Sequence, residues 1–165
     1  MKTPGFVFTA TMTAMIATAH AQQAADDHQG TVHFPISCTA VQGKFDRAMA
    51  LLHNFFYPET VKAFQAIIKE DPSCAIAYWG LAMSEPPNPL VPPFPPANLK
   101  AGWDAIQQGK SAKTQTPREA EYIAAIEVFY RDYDTVGHKT RAEHYEQAMQ
   151  LTRWCRSARC WANYI

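Results

Sequence analysis

Residues 71–80 read Asp71-Pro72-Ser73-Cys74-Ala75-Ile76-Ala77-Tyr78-Trp79-Gly80, followed by Leu81 and Ala82. A proline inside a helix loses a backbone hydrogen bond and clashes with the preceding turn, so Pro72 marks a break. Ser73 is then a candidate N-cap for a helix from Cys74 to about Glu85. Upstream, Val61, Phe64, Ile67 and Ile68 form an apolar stripe at helical spacing. That helix opens at Tyr57-Pro58-Glu59, where a first-turn proline costs nothing. Before it, Val41, Phe45, Ala48, Leu52 and Phe55 make another stripe, with Ser37 as a plausible cap. Downstream, residues 86–96 hold seven of the twelve prolines, so a helix stops and a polyproline-like connection follows. A fourth helix fits Ala97 to about Gln108, with Leu99, Trp103 and Ile106 apolar. Thr116-Pro117-Arg118-Glu119 is a capping-box start for a fifth helix, to about Arg131. A sixth spans about Lys139 to Thr152. No stretch alternates with period two, so the expected class is all-α.

Short helices in pairs call for a repeat search. Cys38 and Cys74 lie 36 residues apart, and Pro35 and Pro72 lie 37 apart. Counted back from Pro72, the residues Ala48, Leu51, Phe64 and Ile67 fall on the small, large, aromatic and small-apolar positions of a tetratricopeptide repeat. Ala75, Tyr78, Leu81 and Ala82 continue the pattern. Thr60 stands where the pattern prefers alanine, and Ile67 is larger than usual. Three strings also resemble a group of exported bacterial tetratricopeptide-type proteins of undefined biochemistry. They are His33-Phe34-Pro35-Ile36-Ser37-Cys38, Leu51-Leu52-His53-Asn54-Phe55 and Asp71 to Gly80, and Thr116-Pro117-Arg118-Glu119 fits the group too. The resemblance spans about Val32 to Met149. It implies a right-handed stack of about three helix pairs, an α-solenoid fragment, and says little about function, because such scaffolds bind many unrelated partners.

In such a stack the first helices of neighbouring repeats lie side by side. Cys38 and Cys74 would then meet at equivalent helix ends, and a disulfide between them would staple the first two repeats. Two buried thiols, or a zinc or copper site from His33, Cys38 and Cys74, are the alternatives. His53 cannot join that site, since it lies roughly 22 Å along the helix from Cys38; it is read as closing its helix. Counting the four cysteines alone does not choose among pairings.

Met1–Ala21 reads as a secretory signal peptide. Lys2 is its lone charge, an apolar run extends from Phe6 to Ala19, and Ala19-His20-Ala21 supplies the small-x-small cleavage pattern. The run is too short and too rich in Thr and Ala to span a bilayer comfortably. A periplasmic or secreted, oxidising destination follows. The plan is therefore a signal peptide at 1–21, a flexible lead-in at 22–36, a helical domain at 37–152 with a proline-rich insertion at 86–96, and an atypical tail at 153–165. In the tail, Arg153-Trp154-Cys155-Arg156-Ser157-Ala158-Arg159-Cys160-Trp161 shifts abruptly to Arg, Cys and Trp. That shift suggests a truncated or frame-shifted gene model with an open apolar end prone to self-association.

The formal net charge is zero, which argues against a nucleic-acid partner, and no stable membrane anchor is expected. Asp26-Asp27-His28 would bind copper or nickel only if processing exposed Asp26. No Ser-His-Asp, P-loop, GxGxxG, HExxH or haem-attachment pattern occurs, so no catalysis and no cofactor are expected. The leading reading is a scaffold that binds a protein or peptide through its concave face or proline-rich loop. Tyr78, Trp79, Phe94, Trp103 and Tyr122 are the candidate lining residues; the runner-up is a periplasmic metal- or redox-linked protein using His33, Cys38 and Cys74. Aromatics at helical spacing are otherwise core, and Leu90, Val91 and Phe94 would otherwise tuck onto it.

Overall fold

The computed structural model describes residues 30–113 and 115–155. The stretch 1–21 expected to be a signal peptide, Asp26-Asp27-His28, most of the expected lead-in, and Arg156 to Ile165 lie outside the described residues, as do the side chains of 152–155. One compact unit begins at Thr31. A 3-10 turn, Thr39–Val41, leads into α1 (Gln42–His53), followed by α2 (Tyr57–Glu70), α3 (Ala75–Ser84), α4 (Pro96–Ser111), α5 (Pro117–Tyr130) and α6 (His138–Cys155). The described residues contain these six α-helices and no strand. No helix among them is long and apolar enough to cross a membrane.

Each helix packs on the next along the chain, and α3 also packs on α1 and on α5. The core lies among them, with Phe45, Phe64, Ile67, Ile76, Ile106 and Ile123 at most 2% exposed. Two glycines permit the closest approaches. A Cβ at Gly80 would lie 2.2 Å from the Phe64 ring, and one at Gly102 would lie 2.2 Å from the Tyr130 ring. Thr60 is fully buried where the repeat pattern prefers alanine. Its hydroxyl is satisfied by donating to the Phe56 carbonyl at 2.7 Å, so the exception carries no unpaired polar group.

Several local expectations need correction. Ser37 caps no helix, and neither Cys38 nor Val41 makes a side-chain cap bond. The Ser37 hydroxyl instead donates to Glu119 Oε2 at 2.6 Å. Ser73 does not cap α3 either; its hydroxyl and backbone N–H both turn to Asp71 Oδ1. Phe55 continues the apolar spacing of α1 but lies beyond its end, at φ 62° and 64% exposed. The left-handed backbone there swings the ring away from the face that Phe45 and Ala48 bury. Helix α4 runs a turn past Gln108, and α6 runs past Thr152. The capping box at Thr116 is present: Glu119 N–H donates to the Thr116 hydroxyl, and Thr116 N–H donates to Glu119 Oε2 at 2.7 Å.

The last residues of the stretch 22–36 make specific contacts with the helices. Thr31–Ile36 has no helix or strand of its own and turns at Ser37, and its side chains alternate between inward and exposed; Phe34 stacks on Trp79 with ring centroids 5.7 Å apart. Cys38 and Cys74 are joined by a disulfide with Cα atoms 5.6 Å apart. It ties the base of this strap to the start of α3.

Candidate functional site

The proline-rich connection between α3 and α4 splits its apolar residues between two roles. Phe94 is buried, whereas Leu90 and Val91 are 79% and 65% exposed. Asn88 explains the difference: its carboxamide oxygen accepts from Leu90 N–H, and its backbone carbonyl accepts from Val91 N–H. That tight turn projects both side chains outward. Beneath the connection lies a cavity of about 230 Å³. Its floor comes from Met83 of α3, Phe129 of α5 and Ala142 and Tyr145 of α6, with Pro86, Pro89 and Phe94 forming the rim.

Three polar side chains line this apolar space, His138, Tyr145 and Tyr130, the last with its hydroxyl donating to the Ala82 carbonyl. His138, the first residue of α6, is held edge-on between Phe94 and Phe129 at centroid distances of 4.9 and 5.8 Å. Its Nδ1 is buried and has no hydrogen-bond partner. Burial, and secondarily the Arg141 cation, hold the imidazole below the ordinary histidine pKa, so it is neutral at pH 7. Tyr145 directs its hydroxyl toward Met83 Sδ at 3.6 Å. Burial, helped by Tyr122, pushes its pKa up to about 12, so it also stays protonated. Arg141, only 3% exposed, lies over the Phe129 ring at 4.8 Å. It donates to the carbonyls of Phe129 and Val136 at 2.9 and 3.1 Å. Those bonds close the C-terminal end of α5, where a cation is favoured by the helix dipole, and fix the wall on which His138 rests. The site therefore offers an apolar cup with neutral hydrogen-bonding handles.

The five aromatic candidates do not converge. Phe94 alone belongs to the loop cavity. Trp79 and Tyr122 face each other at 5.3 Å in a groove among α1, α3 and α5, and the chain's own Phe34 covers them. Tyr78 donates to the Pro72 carbonyl at 3.1 Å and borders a separate, more open hollow of about 440 Å³ with Gln107 and Ser111. Trp103 is partly buried against the core. His53 ends α1 and is exposed.

The trio His33, Cys38 and Cys74 is not brought together. Both sulfurs are committed to the disulfide, and Asp71, rather than His33, supplies the third candidate ligand atom within 4.8 Å. His33 Nδ1 lies 3.0 Å from Asp46 Oδ2 on the side of α1. A disulfide lacks the thiolate that zinc or copper would take, so the residues present do not fit that ion. Comparison with protein-family models, curated proteins and solved structures finds no match for this chain.

Sequence reading missed His138, Met83 and Arg141 as site residues. Tyr145 falls only within the span expected for the sixth helix. The signal that could have pointed to them is a histidine and an arginine at i and i+3 opening a helix just after Gly137.

Proposed function

We propose that this chain is an exported helical-repeat scaffold, a right-handed stack of three helix pairs, and that it binds a protein or peptide partner through its proline-rich loop. The observation that carries this reading is the loop cavity, with the unpartnered Nδ1 of His138 at its wall and the exposed Leu90 and Val91 beside it. Small-molecule sites are larger, roughly 300–1,000 Å³; a cup of about 230 Å³ suits a single side chain. The occupant is an apolar anchor, leucine or phenylalanine in size, on a segment whose neighbouring polar group pairs with His138. Buried anchors of this kind supply most of the energy of a peptide interface, and surrounding apolar contacts exclude water. Neutral handles favour an uncharged partner group over a carboxylate or an ammonium.

The test uses a displayed random peptide library panned on the mature chain and on an Ala142→Phe variant whose added ring fills the cavity. Peptides sharing an apolar anchor should be enriched on the parent and lose binding at least about tenfold on the variant, as expected for loss of one anchor. Enrichment of sequences that bind both chains equally would contradict the loop assignment.

A further inference from the structure

The strap Thr31–Ser37 is bound to the helices as a ligand would be. Phe34 N–H donates to Asp46 Oδ1 at 2.9 Å, and Gln42 Nε2 donates to the Phe34 carbonyl at 2.8 Å. Ile36 N–H donates to Gln42 Oε1 at 3.0 Å, and the Arg118 guanidinium donates to the Pro35 carbonyl. Ser37 gives both its N–H and its hydroxyl to Glu119. The main chain of this segment is thus read by side chains of α1 and α5. The Phe34 ring enters an aromatic slot made by Phe45, Trp79 and Tyr122, with the Arg118 guanidinium 5.0 Å from its centroid. Main-chain bonds for affinity with a side-chain slot for specificity is the general logic of extended-peptide recognition.

The fit is incomplete. Phe34 is only half-buried, His33 and Pro35 are exposed, and the indole N–H of Trp79 is buried in this groove without an acceptor. The disulfide anchors Cys38, so the strap is held at its C-terminal end. Ile36, 7% exposed, belongs to the core, so the Val32–Pro35 part is the less deeply held one.

We propose that the α1–α3–α5 groove is a recognition site for an extended segment carrying phenylalanine followed by proline, and that Val32–Ser37 is its built-in occupant, displaced when a partner segment of that pattern binds. A partner offering a carbonyl to Trp79 Nε1 would satisfy the donor that the strap leaves unpaired. The tether keeps the strap at a high effective concentration, so the groove is closed to weak ligands and opens only to matched ones. The groove shares no residue with the loop cavity, so failure of one assignment leaves the other standing.

The probe is a fluorescent peptide of sequence Val-His-Phe-Pro-Ile-Ser, titrated by anisotropy against the mature chain and against Phe34→Ala, which leaves every groove residue intact. Phe34→Ala should bind the peptide about tenfold or more tightly than the parent chain, because its own strap competes less well. A peptide with alanine in place of the phenylalanine should lose binding to both. Should Phe34→Ala lose helix content, Ser37→Ala loosens the strap without emptying the aromatic slot and should shift affinity in the same direction, by less. Equal binding to the parent chain and a folded strap variant, or equal binding of the alanine peptide, overturns the proposal.

Discussion

Opening the Cys38–Cys74 bridge is the most informative single perturbation of the fold. The bridge spans a sequence separation of 36 residues. In the chain-entropy view, a loop of that length restricts the unfolded ensemble by about 4 kcal/mol at 25 °C. Both cysteines are at most 5% exposed, so the sulfurs also belong to the core that includes Val41 and Ile76. Urea unfolding of the oxidised and the reduced chain isolates the cross-link without removing atoms, and Cys38→Ala with Cys74→Ala repeats the comparison in a chain that cannot re-form the bridge. Both should lose about 3–4 kcal/mol, equivalent to a fall in Tm of roughly 10–20 °C for a domain of this size. The m-value should rise in the reduced chain, because an uncrosslinked denatured state exposes more surface. Hydrogen exchange should quicken first in the strap, whose base the bridge holds. Oxidised and reduced midpoints within about 0.5 kcal/mol of each other would refute the stapling argument, since native-state contacts alone would then account for the stability.

Other expectations follow from single side chains. Glu119→Ala removes the acceptor for Ser37 N–H, the Ser37 hydroxyl and Thr116 N–H. It should cost roughly 2–4 kcal/mol in chemical denaturation and expose the Ser37 and Thr116 amides to exchange. Gly102→Ala drives a methyl into the Tyr130 ring, which cannot swing away because it is 1% exposed and its hydroxyl donates to the Ala82 carbonyl at 2.5 Å. A loss of about 1–3 kcal/mol is expected, and an unchanged Tm would show that the α4–α5 contact is looser than described. The folded-state pKa of His138 lies below its ordinary value of 6.5. The unfolded chain therefore takes up a proton first, so stability is flat above about pH 6.5 and falls as pH drops through that value toward the folded pKa. His138→Phe should remove that slope from a Tm-versus-pH series. Asp46, whose net pKa is lowered because its bonds from Phe34, His33 and Gln42 outweigh burial, adds a loss only below about pH 3.8.

The helices were legible because proline, capping residues and apolar spacing are local signals. Pro58, Pro72 and Pro117 each fell at a helix boundary, and Thr116 with Glu119 announced a box that is formed. The Cys38–Cys74 disulfide is the pairing that the 36-residue spacing favoured over thiols or a metal site. The strap was illegible because its alternation, with Val32, Phe34 and Ile36 turned in and His33 and Pro35 exposed, is too short to stand out in sequence. Its bonds reach residues 82 and 83 positions away, to Glu119 and Arg118. Ser37 was misread for the same reason, since a serine before a helix resembles a cap unless a distant carboxylate claims it. Phe55 shows the reverse error: apolar spacing continued past the point where the backbone left the helix. The loop cavity draws Met83, Phe94, Phe129, and the α6 pair His138 and Tyr145 from four segments, and nothing in local sequence joins them.

The most direct test of a loop-centred binding function is a methyl NMR titration of the full chain with ¹³C-methyl methionine, using a peptide selected on the parent protein. Met83 lines the cavity, whereas Met49 is 3% exposed in the core away from it. The Met83 methyl resonance should move with saturation, Met49 should stay in place, and Ala142→Phe should abolish the Met83 shift. A bound peptide that leaves Met83 unmoved, or moves Met49 equally, would contradict the assignment of partner binding to the proline-rich loop.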